Sequence, residues 1–358
     1  MRILLFIDCL GAGGAQRQLV GLAIMLKNKG YNVKVATYHN LDFYKKQLDD
    51  AHVPNELIPD ASNTFTRIQI VKRYFKKESP DCVIAYQETP SLVASLTKLL
   101  GCKYRLIVSE RNTSQEIGLR ERIRFFLYRW AEAIIPNSYS QETILKEYDS
   151  KLSGKIKVIT NFIDLNRFKY NGHKRHEIPK ILVVGRVSPQ KNTLNFIKAV
   201  KVLKERGVLF SIKWYGLTEI ITQYAETCQK LIEEYDLKEA LELLPKTNDI
   251  AKKYSESDFF CLPSLYEGTP NVVGEAMASG LPIACGEVCD NHIYVKDGVN
   301  GVLFNPFEVD SIADGLQRLI DIKEDDYTNY CKTSRHMAEE LFSSEKFLEK
   351  YESIILNK

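Results

Sequence analysis

Short uninterrupted apolar runs alternate along this chain with longer stretches in which apolar residues recur every three or four positions. The runs near 3–7, 32–37, 82–85, 106–108 and 133–135 show no polar alternation, as in strands buried on both faces of a parallel sheet. Helical spacing fills the gaps between them. From about 166 to 179 the chain becomes rich in Asn, His, Lys and Arg and reads as a hinge. The alternation then resumes, with runs near 181–184, 210–214, 241–244, 259–262, 282–284 and 302–304, and after Glu308 it is helical to the end. The pattern predicts an α/β protein of two successive Rossmann-like domains, 1–165 and 166–343.

One helix has both its ends written out. In Tyr266-Glu267-Gly268-Thr269-Pro270-Asn271-Val272-Val273-Gly274-Glu275, Thr269 is a good N-cap and Pro270 suits the first helical position. Gly280, with Pro282 beyond it, supplies the stop. The first-turn amides of Asn271 and Val272 can receive a phosphate. Glu275 falls on the face of Asn271 one turn deeper, where a carboxylate accepts hydrogen bonds from a sugar diol. The plainer reading makes Glu267 a turn acid and Glu275 a solvated helix residue.

A second stretch shifts that balance. Ile181-Leu182-Val183-Val184 reads as a buried strand ended by Gly185, with Arg186 and Lys191 in the following loop and a helix starting near Asn192 or Thr193. Open α/β sheets bind ligands at the carboxyl ends of their strands. An arginine there grips phosphate oxygens in pairs, and a lysine adds a mobile point charge.

Gly185-Arg186 with Lys191, followed by Glu267 and Glu275, resembles the signature of the retaining GT-B glycosyltransferases of family 4. Three further stretches agree with it. Gly11-Ala12-Gly13-Gly14-Ala15-Gln16-Arg17 is similar to the family's amino-terminal Gly-Gly loop. Val158-Ile159-Thr160-Asn161-Phe162-Ile163-Asp164 resembles its interdomain segment, and Asp297-Gly298-Val299-Asn300-Gly301 its closing loop. The likeness runs over nearly the whole chain, in the family's order.

The resemblance implies two facing Rossmann-like domains with an interdomain cleft, the last helix (344–358) returning to complete the first domain. It implies transfer of a hexose or N-acetylhexosamine, with retained anomeric configuration, from a UDP-linked donor to a lipid-linked glycan. Surface polysaccharide synthesis (O-antigen, capsule or exopolysaccharide) is the setting expected. Arg186 and Lys191 would neutralise the departing diphosphate, together with amides near Thr269, Asn271 and Val272. Glu267 would contact donor-sugar hydroxyls, Glu275 would hold the ribose, and Gly13 and Gly14 would let backbone approach the diphosphate or the acceptor. Because that set can replace a divalent ion, neither metal nor cofactor is expected. Two departures stand out. Arg111 falls where many members carry a histidine, within a Ser109-Glu110-Arg111-Asn112 form shared by some surface-glycan enzymes, which makes Glu110 and Arg111 candidates for the acceptor or donor-sugar side. Gln16 replaces the usual glutamate and removes a negative charge near the acceptor entrance.

Composition changes the picture in one respect. The net charge of +3 conceals 26 Lys and Arg against 17 Asp and Glu in residues 1–170, and 23 against 29 thereafter. Segments 66–77 and 119–130 interleave Arg and Lys with Ile, Phe, Tyr and Trp and scan as amphipathic helices suited to an anionic membrane surface; packing of their apolar sides on the domain is the competing reading. No apolar run reaches the length of a membrane span, so the expected location is peripheral, on the cytoplasmic face of the inner membrane. No nucleic-acid module is visible. The eight cysteines are scattered, and His173 and His176 lie in the polar stretch, so zinc is not expected. A GT-B epimerase or phosphorylase and a non-catalytic partner subunit stay open as alternatives, although no pyridoxal lysine is identifiable. An NAD dehydrogenase is disfavoured, since the Gly11-x-Gly13-Gly14 loop lacks the dinucleotide spacing.

Overall fold

The computed structural model describes residues 1–357 apart from Ser62, His173 and 219–221. His173 of the expected hinge and Lys358 of the expected last helix thus lie outside the described residues. The chain divides into two compact units, Met1–Asn161 with Glu345–Lys358, and Phe162–Ser344.

The first unit holds β1 (Arg2–Phe6), β2 (Asn32–Thr37), β3 (Asn55–Leu57), β4 (Cys82–Tyr86), β5 (Arg105–Glu110) and β6 (Ala133–Pro136). The second holds β7 (Lys180–Val184), β8 (Ser211–Leu217), β9 (Leu241–Pro245), β10 (Phe259–Leu262), β11 (Ile283–Gly286) and β12 (Gly301–Phe304). Eleven of these follow from the apolar pattern. The short β3 does not, because Asn55-Glu56-Leu57 is an edge strand with no buried residue.

Both sheets are parallel, in the orders β3-β2-β1-β4-β5-β6 and β12-β11-β10-β7-β8-β9. Each therefore winds outward from its first strand in one direction, returns, and winds outward in the other. The reversal falls between β1 and β4 in the first unit and between β7 and β10 in the second. Loops leaving such a pair diverge, which opens a crevice at their carboxyl ends. In the second sheet, Ile181 and Val183 face one core, with Trp214 and Phe196, while Leu182 faces the other, with Phe260 and Met277. Burial on both faces accounts for the unbroken apolar run.

The helix Ser344–Leu356 belongs to the first unit. Its Tyr351 stacks on Tyr86, the two hydroxyls 2.7 Å apart. The Arg105 guanidinium donates to the carbonyls of Ile355 (2.8 Å) and Ile354 (3.1 Å), groups with no partner inside the helix. The stretch expected as a hinge is instead tied to the second unit. The backbone N–H of His176 and that of Lys180 both donate to Asp258, at 3.1 and 2.7 Å, and Arg175 donates to the Ile322 carbonyl at 2.8 Å. Among the described residues no helix is long and apolar enough to cross a membrane.

Candidate functional site

Gly185 and Arg186 leave β7, and Glu267 lies in the loop that leaves its neighbour β10. A 3-10 turn, Pro189–Lys191, folds the first loop back. Gln190 fastens the loops together: its carbonyl accepts from Leu265 N (3.0 Å), and its side-chain amide donates to the Tyr266 carbonyl (3.2 Å). Lys191 is thereby delivered to Glu267, and the two form a hydrogen-bonded ion pair with side chains 15% and 10% exposed. Arg186 is exposed and makes no hydrogen bond or ion pair among the described residues. Its charge is available to a ligand, whereas that of Lys191 is shared with Glu267.

Gly185 allows this packing. A Cβ there would sit 3.3 Å from the Lys191 stem. Its carbonyl accepts from Trp214 Nε1 at 2.7 Å, and Gly216, at φ +144, faces the same backbone in a conformation that side chains rarely adopt.

The helix Asn271–Ala278 begins one residue later than its sequence signals suggest. Pro270 is the N-cap, at φ −74 and ψ 106, and its own side chain supplies no capping bond. The N-cap position falls to Pro270 and not to Thr269, whose hydroxyl lies 3.3 Å from Tyr294 OH. Gly280, at φ +74, takes the left-handed position past the helix end as expected. Glu275 is only 3% exposed. Tyr254 OH lies 3.0 Å from its Oε2 and 3.1 Å from the Val272 carbonyl, so one hydroxyl holds both the acid and the helix's first turn. Ser188 and Ser264, in the loops after β7 and β10, have buried hydroxyls with no hydrogen-bond partner among the described residues. The arrangement combines an exposed guanidinium, an ammonium–carboxylate pair, a helix N-terminus and a positioned second carboxylate. It can bind a diphosphate flanked by hydroxylated groups.

In the first unit several candidates lie deeper than expected. Glu110 is fully buried. It accepts from Tyr128 OH, from Arg124 Nη2 at 3.3 Å and from Gln141 Nε2 at 3.4 Å. Arg124 Nε also lies 3.1 Å from it, as an ion-pair contact without hydrogen-bond alignment. Burial raises the Glu110 pKa, against the opposing pull of Arg124 and Tyr128. A carboxylate enclosed in this way is an internal anchor of the first unit. Arg111 is likewise buried, donating to Asn161 Oδ1 and to Ser109 Oγ (3.3 Å), with its guanidinium 5.0 Å over the Tyr86 ring. Gln16 also turns inward, donating to Asp8 Oδ1 at 3.1 Å. It occupies the space a Gly13 side chain would take; Gly14 is exposed.

The groups that do reach solvent there line a polar cavity of about 260 Å³ at the ends of β1, β2, β4 and β5. Asp8, His39, Arg67, Gln87 and Asn112 contribute to it. His39 Nδ1 lies 2.9 Å from Asp60 Oδ2, and Arg67 donates to Asp60 Oδ1 at 3.0 Å. Together these hold Asp60 well below the usual carboxylate range, at about 2, the largest cause being the Ala61 backbone N–H and then Arg67 and His39. None of the five cavity residues is singled out by sequence. The only pointer was the position of Asn112 beside Glu110 and Arg111.

Residues 12–167 match the family profile described as Glycosyltransferase Family 4, and residues 166–337 that described as Glycosyl transferases group 1. The chain is 28% identical over 273 residues to the UDP-Gal:alpha-D-GlcNAc-diphosphoundecaprenol alpha-1,3-galactosyltransferase of Escherichia coli, covering 70% of this chain and 69% of that one. It is 25% identical over 364 residues to an N-acetylgalactosamine-N,N'-diacetylbacillosaminyl-diphospho-undecaprenol 4-alpha-N-acetylgalactosaminyltransferase of Campylobacter jejuni, covering 92% and 93%. Among solved structures, HepE of Anabaena in complex with UDP superposes with a TM-score of 0.86 at 18% identity, over 100% of both chains. At that identity the likeness speaks for the fold. With two doubly wound parallel sheets and both family domains in order, the chain belongs to the family 4 glycosyltransferases of GT-B fold.

Proposed function

We propose that this glycosyltransferase moves a hexose or N-acetylhexosamine from a UDP-linked donor, with retention of anomeric configuration, to an undecaprenyl-diphosphate-linked glycan during bacterial surface polysaccharide synthesis. The observation that carries the reading is the joining of the β7 and β10 loops. It places Lys191 on Glu267 beside the exposed Arg186, with Glu275 held by Tyr254 on the following helix. The lipid-linked acceptor is supported by the Escherichia coli and Campylobacter relatives, whose names specify one.

Breaking the sugar–phosphate bond leaves negative charge on the diphosphate. Arg186 and Lys191, with the first-turn amides of Asn271 and Val272, answer that charge in place of a metal ion. As Lys191 turns toward phosphate, Glu267 is freed to accept from hydroxyls of the sugar. Glu275, already oriented by Tyr254, accepts from the ribose diol. The oxygens of the departing phosphate take the acceptor's proton on the face from which they leave, which preserves configuration without an enzymic nucleophile. The reaction is assigned to the cytoplasmic face of an anionic membrane.

A thermal-shift screen of nucleotides and nucleotide sugars tests the donor, since a ligand bound only by the folded chain raises its melting temperature. UDP is expected to stabilise and GDP not to. Incubation with undecaprenyl-diphosphate glycans, with the new anomeric centre read by NMR, tests acceptor and stereochemistry. An inverted product, or conversion of the donor sugar without acceptor, would overturn the reading. Full turnover in excess chelator is expected.

A further inference from the structure

The helix Leu119–Leu127 and the turn Tyr128–Trp130 that continues it carry more apolar side chains than the first unit buries. Phe125, Leu127 and Tyr128 face the core, and Arg124 is spent on Glu110. Leu119, Ile123, Phe126 and Trp130 remain 74%, 47%, 46% and 40% exposed. Their spacing of four, three and four residues puts them in one stripe along the outer face. Phe126 and Trp130 pack edge to face at 5.3 Å, with the Arg129 guanidinium 4.9 Å over Phe126.

The rim of this stripe is cationic. Arg120, Arg122 and Arg129 are all exposed, and Arg120 and Arg122 have no ion pair among the described residues. Glu121, the one acid in the helix, is turned toward Arg124 and the Gly118 backbone. The other basic segment behaves differently. In the helix Thr64–Glu78, Val71, Tyr74 and Phe75 are buried, Ile68 and Ile70 pack on the core, and only Phe65 at its start is strongly exposed. Its lysines are a solvated face.

We infer that the 119–130 face, and not the 64–78 helix, seats this protein in the headgroup layer of an anionic bilayer. Leu119, Ile123, Phe126 and Trp130 enter the acyl boundary, and Arg120 and Arg122 meet lipid phosphates, while Arg129 stays paired with Asp149 at 2.7 Å. Aromatic rings with an arginine fringe suit the bilayer–water interface. A second copy is a poor occupant, because symmetric pairing through one narrow stripe would set Arg120 and Arg122 against the same arginines. The inference needs the transferase reading only to explain why a membrane is useful. Vesicle binding requires neither donor nor acceptor, so its failure would leave that reading intact.

The chain carries its own reporter. Of its two tryptophans Trp214 is fully buried and Trp130 lies on the stripe. Phosphatidylcholine vesicles containing phosphatidylglycerol are expected to shift Trp130 emission to the blue and shield it from acrylamide; vesicles of phosphatidylcholine alone are not. In flotation, Ile123→Ser with Phe126→Ser should lower binding at least tenfold, and Arg120→Ser or Arg122→Ser by about fivefold each. These positions face solvent, so melting temperatures should hold and separate lost docking from misfolding. Lys76→Ser with Lys77→Ser should bind as the parent does. Absence of binding to anionic vesicles overturns the inference, as does equal loss in the Lys76/Lys77 variant. Lipid-free self-association that shields Trp130 and is lost with Phe126→Ser would assign the face to a second copy instead.

Discussion

In the first unit, Glu110 closes β5 and is fully buried against Arg124, Tyr128 and Gln141. In the second, Glu267 follows β10 and meets Lys191 across two loops. The sheets have the same strand order, and both carboxylates lie at carboxyl ends near a point of reversal. The fate of each acid is set by what its neighbours supply. The chain after β5 brings a helix whose Arg124 and Tyr128 point inward, so the acid becomes part of the core. The chain after β10 keeps to loops tied by Gln190, so the acid, its side chain 10% exposed, pairs with the lysine those loops deliver. Equal topology thus leaves one unit with an internal anchor and an open cavity, and the other with an exposed arginine beside a lysine–glutamate pair.

The sharpest way to break this comparison is Glu110→Ala. Removing one partner leaves Arg124, 4% exposed, inside without its main counter-charge, at a cost of about 3–5 kcal/mol. Glu88 and Glu121, each 3.7 Å from Arg124, should keep the loss near the lower end. Denaturant unfolding measures it, and the UDP affinity of the folded fraction should not change. Arg186→Ala should do the reverse, lowering turnover by roughly two to three orders of magnitude, the scale of one lost transition-state donor, with an unchanged melting temperature. A destabilised Arg186→Ala protein would mean that the two units are less different than argued. Smaller effects are expected around Glu275. Tyr254→Phe removes the hydroxyl that holds the Glu275 carboxylate and should weaken UDP binding by about tenfold, read by calorimetry. Glu275→Gln should weaken it further, and an unchanged titration would remove the ribose assignment.

Most of the strands were legible because buried parallel strands write themselves as unbroken apolar runs. β3 was not, because an exposed edge strand has no such run to show. The charged loop of the second unit could also be read, since a strand, a glycine and two cations fall within twelve residues. The pairing of Lys191 with Glu267 spans 76 positions and depends on the adjacency of β7 and β10, which no local pattern encodes. The burial of Glu110 and Arg111 was not legible for a related reason. Arg124 and Tyr128 look from the sequence like parts of an amphipathic surface helix, and only their inward rotation shows that they claim Glu110. The same rotation sends Phe126 and Trp130 outward.

The smallest expected effect bears on the anchor alone. Burial raises the Glu110 pKa above its unfolded value of about 4.3, so the folded chain holds that proton more tightly than the unfolded one. The resulting stability is fully present below the unfolded pKa and is lost as pH rises through the folded one. Glu110→Gln cannot titrate, so the stability of the parent relative to this variant should fall across that window and level off above it. Unfolding both proteins at a series of pH values gives the difference directly, and most other carboxylates cancel in it. A parent that gains on the variant as pH rises would mean that the Arg124 charge outweighs burial. Glu110 would then be held as an ion, in the manner of Glu267 beside Lys191, and the contrast between an anchor kept by enclosure and an acid kept in an ion pair would have to be drawn elsewhere.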